Sequence, residues 1–477
     1  MVSACPARRA RTRGRPALER LEDRSTPATV TLIGSTLTIS NPRVVLPTTQ
    51  LDIAQLGAGK FKVTENVTSN LGTYSNVSAI VINGSNSHDA INVTLGAAPL
   101  FLSGSLTING GNGNDVVSVN GTGEVRGNLS IDGGNGDDTV RVANATGLTV
   151  RGTTNLSGGL GTDAAQVAFG GAAKFLGTLG FFGFNSFNYL IANTTLGSGL
   201  TFSSRINPTS GALKPVAISA GTGAIAISGT FLVELSSAGD SINVNATSVG
   251  ALAINMGGGT DSVTINTDVT RNAAVNFGKG DGTITVAGGA DINTSLTAGL
   301  GLSLAMGDGV NTYNLNNAFV VNGNLAITTP ATGLNNQTIT VGGQVLKTSV
   351  TSGDGNLTIN TGFGDDVVTV NTLVAGNLVA NLGQGNNGFT VNAAGSFANL
   401  TFTAGDGNNT VNVAVPNPVG THNLTLTFGG GGVNNVTLTG GASGGGTVTI
   451  NWTDGIVDDT LVSTLGAGYT IVQTGVK

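Results

Sequence analysis

The residues in this sequence best suited to chemistry are carboxylates that follow glycine-rich turns. Asp115 ends the run Gly110-Gly111-Asn112-Gly113-Asn114, Asp138 ends Gly133-Gly134-Asn135-Gly136-Asp137, and Asp163 follows Gly158-Gly159-Leu160-Gly161-Thr162. Acidic or amide residues recur after later turns, at Asp366, Asn387, Asn409 and Asn434. The spacing drifts: 23 residues from Asp115 to Asp138, 25 from Asp138 to Asp163, 21 from Asp366 to Asn387 and 22 from Asn387 to Asn409. If each interval folds as one coil of a stack, Asp115, Asp138 and Asp163 stand above one another. Neighbouring carboxylates then repel by about 0.9 kcal/mol even at water's dielectric and a separation of ~4.8 Å. Calcium, a hard cation that takes oxygen ligands, would relieve that repulsion. Turn chemistry is the other reading. Asp and Asn both hydrogen-bond turn backbone, so their exchange keeps that role and loses the charge.

Other reactive side chains are sparse. His88 and His422 are the only histidines, Trp452 is the only tryptophan and Cys5 the only cysteine. A single cysteine excludes a disulfide within the chain, and no phosphate-binding loop, cysteine-based zinc site or catalytic triad can be assembled from these residues. Asp365-Asp366 and Asp458-Asp459 are adjacent pairs, but neighbours on extended backbone face apart, which is the wrong arrangement for paired acid–base chemistry. The expectation is therefore a protein that is not an enzyme. A carbohydrate-active β-helix enzyme, a polysaccharide lyase or hydrolase, stands as the alternative, since solenoid scaffolds carry such sites and fold alone does not decide function.

What must position these turns is legible from composition. Of 477 residues 76 are glycine and only 10% are charged, against about 25% charged in an ordinary domain. Abundant glycine without a collagen triplet, together with many Val and Ile, points to short strands joined by tight turns. A unit N-L-x-I-x-x-G-x-G-x-(D/N)-x-V-x-V repeats along the chain, most clearly from Asn128 to Val142. Its alternation places Leu129, Ile131, Val140 and Val142 inward and Ser130, Thr139 and Arg141 toward water. Gly134 and Gly136 supply the positive φ of a sharp corner. The fold class follows: all-β, a single parallel β-helix (β-solenoid) of roughly 17 rungs of about 24 residues, spanning roughly 80 Å at ~4.8 Å per coil. Six phenylalanines, at 169, 175, 181, 182, 184 and 187, crowd a less regular stretch between 169 and 230. They read as core residues of a widened coil, with an exposed docking patch as the competing reading.

Residues 1–28 differ in kind. They hold seven Arg against Glu19, Glu22 and Asp23, leaving 13 basic and 23 acidic residues in the remainder. An acidic body with scattered cations argues against nucleic-acid binding, and no apolar run of about 18 residues predicts a transmembrane segment. Leu18-Glu19-Arg20-Leu21-Glu22-Asp23-Arg24-Ser25-Thr26-Pro27-Ala28 resembles the LExLExRxxPA leader of many exported proteins of planctomycete-type bacteria, which implies an extracellular or cell-surface location. The glycine turns resemble the RTX (hemolysin-type) nonapeptide G-G-x-G-x-D-x-U-x. That resemblance implies calcium held between coils, with Asp115, Asp138, Asp163 and Asp366 as the transferable ligands. The coils from about residue 80 to 475 also resemble autotransporter-passenger solenoids.

The expected organisation is a basic export leader at 1–28, an amino-terminal cap with initial strands at 29–80, solenoid repeats at 81–465 and a carboxyl-terminal cap strand at 466–477. The expected function is that of a secreted or surface-associated structural, adhesin-like repeat protein, with possible Ca2+ as cofactor. Its expected partners are cell-surface or extracellular matrix components, polysaccharide, or further copies of itself.

Overall fold

The computed structural model describes residues 27–475 apart from 42–48, 98, 143–146, 168–172, 185–188, 192–193, 197–198, 204–216, 221–225, 236–238, 316–317, 331–334, 350, 393–395, 416–420, 442–443 and 454–457. Residues 1–26 of the leader, with Cys5, and Phe169 and Phe187 lie outside the described residues. Among those that are described there is no helix; every regular element is a strand.

Each coil of the regular region is two long strands and a short one. Leu106–Asn112, Val116–Gly121 and Glu124–Val125 make one such coil. Leu129–Asn135, Thr139–Val142 and Thr149–Val150 make the next, stacked on it in parallel register. The repeat unit explains this division. Alternation of period two gives each strand one apolar face, and the glycine turn supplies the corner between the two long strands. On one face, among the described residues, strands from Thr49–Gly57 to Thr460–Leu465 follow one another in parallel pairing. The molecule is a parallel β-solenoid.

Orientation within the coils follows the alternation. Leu129, Ile131, Val140 and Val142 are fully buried, while Ser130, Thr139 and Arg141 are half-buried on the outer face. Aliphatic residues repeat this inward placement along the stack, so the core is a continuous ladder rather than a set of separate clusters. Phe175, Phe181 and Phe184 are buried, and the rings of Phe181 and Phe184 meet edge-on at 6.2 Å. Those phenylalanines fill the core. Farther along, Phe389, Phe402, Phe428 and Trp452 form a second aromatic column, with centroids 5.1, 5.6 and 5.0 Å apart.

The amino-terminal end departs from the parallel rule. Thr29–Ile33 returns on Thr36–Ser40 as an antiparallel hairpin around Gly34. Thr49–Gly57, Lys60–Glu65 and Ser69–Tyr74 form an antiparallel meander that buries Phe61 and Val63. These segments cover strand edges that would otherwise template association.

Glycine is required at the corners because coils approach there through backbone alone. A Cβ on Gly134, whose φ is +104°, would lie 2.0 Å from the carbonyl oxygen of Gly111 in the preceding coil, whereas one on Gly34 would meet nothing within 4 Å. Gly34→Ala is therefore expected to cost about 1–2 kcal/mol, the penalty of a left-handed residue with a side chain. Gly134→Ala must also separate two coils and is expected to lower the melting temperature much further, as read by far-UV circular dichroism. Equal losses for the two variants would contradict this packing.

Candidate functional site

The turn carboxylates do stack, but in a way the sequence did not specify. Asp115 Oδ1 accepts the backbone N–H of Asp89 at 2.7 Å, Asp138 Oδ1 accepts that of Asp115 at 2.7 Å, and Asp163 Oδ1 accepts that of Asp138 at 2.9 Å. Each side chain thus holds the equivalent residue of the coil before it. The column recurs at Asp261, which accepts the Asp240 N–H at 2.8 Å. It recurs again from Gln337 through Asp366, Asn387, Asn409 and Asn434 to Asp459, with N–H to Oδ1 distances between 2.8 and 3.3 Å. Along it, one coil takes from 21 to 29 residues.

Glycine turns bring this column inside. Asp115, Asp138, Asp163 and Asp366 are at most 2% exposed. Burial raises their carboxyl pKa values, to about 7 for Asp115, about 6 for Asp138 and about 7 for Asp163, against the lowering effect of the accepted backbone N–H. Neighbouring Asp charges add to the rise. Burial likewise raises Asp366, and it raises Asp261 to about 6.

A second column runs one residue earlier on the exposed side, in the opposite sense. Asn114 Oδ1 accepts the N–H of Asp137 from the following coil at 2.9 Å, and Asp137 Oδ1 accepts that of Thr162 at 2.7 Å. Asp365, Asn386 and Asn408 continue the pattern. A third column occupies another corner: Asn128 Oδ1 accepts the Thr153 N–H at 3.0 Å, and Asn356 and Asn399 repeat it. The Asn that opens the unit N-L-x-I was therefore the missed signal. So was Gly257-Gly258-Gly259-Thr260-Asp261, which keeps the glycines four and two residues before the Asp found in the turns at Asp115, Asp138 and Asp163 but has Met256 in place of their first glycine.

Adjacent Asp pairs separate as extended backbone requires: Asp366 is buried whereas Asp365 is exposed. His88 and His422 bind the backbone of neighbouring coils, through Asn114 and Ala398 respectively. Trp452 lies in the core and donates to Gln473 Oε1 at 3.1 Å.

Calcium takes six to eight oxygens at 2.3–2.6 Å, and the residues around Asp115 and Asp138 do not fit that demand. One carboxylate oxygen of each is committed to a backbone N–H. The other is closed in, since a Cβ on Gly110 would lie 2.6 Å from Asp115 Oδ2 and one on Gly133 would lie 2.6 Å from Asp138 Oδ2. Among the described residues, no three His, Cys, Asp or Glu side chains group closely enough to hold a metal ion.

No protein-family model matches this chain, and no curated protein matches it significantly.

The inner column makes a prediction about side-chain chemistry. Asp138→Asn keeps the oxygen that accepts the Asp115 N–H, so the fold and the ladder are retained. Asp138→Ala leaves that buried N–H without an acceptor and is expected to cost about 1–3 kcal/mol, measured by denaturant unfolding. An Asp138→Ala variant as stable as Asp138→Asn would show that the ladder contributes nothing.

Proposed function

We propose that this chain is a secreted or cell-surface structural protein of bacterial origin that works by rigid extension, presenting long polar faces in an adhesin-like manner. The observation that carries the reading is one outward column on the long parallel face. Thr264, Thr285, Asn314, Thr340, Thr369, Thr390, Asn412 and Thr437 occupy successive coils in direct register. All are half-buried or exposed, and all are uncharged. An uncharged face of hydroxyls and amides several coils tall suits broad, weak contact with hydrated polymers of the matrix or cell surface, such as neutral polysaccharide.

Charge placement agrees with this assignment. The acidic body lacks the clustered cations that a nucleic-acid partner requires, and no helix among the described residues is long and apolar enough to cross a membrane. The exported location rests on the resemblance of residues 18–28 to the planctomycete-type leader.

Two measurements test the reading. Antibody against the solenoid is expected to label intact cells of the source organism, and small-angle scattering of residues 29–477 is expected to give the profile of an elongated rod. Labelling only after lysis would refute surface display, and a compact scattering profile would refute extension.

A further inference from the structure

We propose that the inner Asp column binds protons where its RTX-like turns imply calcium: Asp115, Asp138 and Asp261 each carry a hydrogen on Oδ2 that is donated to the carbonyls of their own glycine turn. The Asn coils show what that position is built for. Asn387 Nδ2 donates to the carbonyls of Gly383 and Gly385, both at 3.1 Å. Asn409 Nδ2 donates to Gly405 and Gly407 at 3.3 and 3.0 Å, and Asn311 Nδ2 to Gly307 and Gly309 at 3.1 and 2.9 Å. In all three coils the acceptors lie four and two residues before the Asn, and in the two later coils its Oδ1 takes the N–H of the preceding coil.

Asp has the same shape with an oxygen in place of the amide nitrogen. In the Asp coils Oδ1 keeps its backbone N–H, and the Oδ2 atoms of Asp115, Asp138 and Asp261 are buried without a hydrogen-bond partner. The side chains are 1, 2 and 3% exposed. An ionised Oδ2 would turn negative charge toward the turn carbonyls, an arrangement that a single proton converts into a hydrogen bond. The proton comes from solvent, and no other group changes. This is the chemistry that exchange of Asp for Asn preserves and that calcium ligation does not.

The charged surroundings favour the same state. Asp115 faces Asp89 and Asp138, while Asp138 faces Asp132, Asp137 and, with opposite effect, His88. Asp163 in the next coil is surrounded by Asp138, Asp137 and Asp132. Burial places Asp115 at about 7 and Asp138 and Asp261 at about 6, against about 3.9 for an unfolded Asp. A folded pKa above the unfolded one contributes stability that is fully present below about pH 4 and is lost as pH rises through 6 to 7. The Asn turns at 387, 409 and 434 have no such group in the inner position. Stability is therefore graded along one stack, with the Asp block loosening first as the medium turns from acidic to alkaline.

Hydrogen exchange of the full chain in EDTA, corrected for intrinsic rates, tests this between about pH 5 and about pH 8. Protection of the turns at 110–138 is expected to fall as pH rises toward the folded pKa, by about tenfold per pH unit for each titrating carboxyl, and to level off above about pH 7, while protection at 383–434 holds. Asp115→Asn with Asp138→Asn should keep that block protected at the higher pH, and Asn387→Asp with Asn409→Asp should move the pH dependence into the later block. Should the latter variant fail to fold, infrared absorption still decides: the wild type near pH 5 carries the carbonyl stretch of a protonated carboxyl, reduced in the Asp115→Asn, Asp138→Asn variant. No protonated carboxyl and no pH dependence in the Asp block would overturn the proposal. So would recovery of protection at about pH 8 on adding calcium, lost in the double Asn variant, which would make the column a cation site.

Discussion

Everything in this molecule depends on the backbone hydrogen bond that one coil gives to the next. A parallel strand satisfies its N–H and C=O groups only through neighbours above and below, so a coil in isolation has no closed hydrogen-bond network and almost no core. Fold, turn chemistry and surface all follow from keeping that vertical contact unbroken. Glycine at the corners lets backbone meet backbone, as Gly134 does against Gly111. At many turns an N–H without a strand partner is accepted by an Asp or Asn side chain from an adjacent coil. Inner and outer columns run in opposite senses, so each corner is tied both to the coil before it and to the coil after it.

That division of labour also orders the energetics. The aliphatic ladder supplies the nonspecific attraction, the glycine corners set how closely coils approach, and the side-chain columns fix vertical register. Only the last of these involves charge. Replacing Asp by Asn along the inner column changes no shape, yet it decides whether a turn titrates. A single architecture thereby holds two chemically different stretches, one acidic and one amide-bearing.

Much of this was legible in the sequence because period-two alternation and recurrent glycine turns are local signals. Leu129, Ile131, Val140 and Val142 faced the core as their alternation implied. Phe175, Phe181 and Phe184 resolved in favour of the core, where all three are fully buried. What could not be read was which atom each turn carboxylate meets, since that depends on contact between residues more than twenty positions apart. Asp115, Asp138 and Asp163 looked like a mutually repelling stack, whereas the column in fact alternates carboxylate with backbone N–H. The Asn128 column was hidden for the same reason: a residue that seems only to precede a strand caps the turn of the following coil. The aromatic run from Phe389 to Trp452 was missed because only Phe428 and Trp452 share a register position, Phe402 standing opposite Leu426 instead.

Vertical stacking in a fixed register is the central claim, and spin-label distances test it most directly. Labels on the outward column, at Thr264 paired with Thr390 and at Thr264 paired with Thr437, are separated by five and seven coils in the observed register. At ~4.8 Å per coil the account predicts separations of about 24 and about 34 Å, increasing in proportion to coil number. Separations that fail to grow with the number of intervening coils would contradict it.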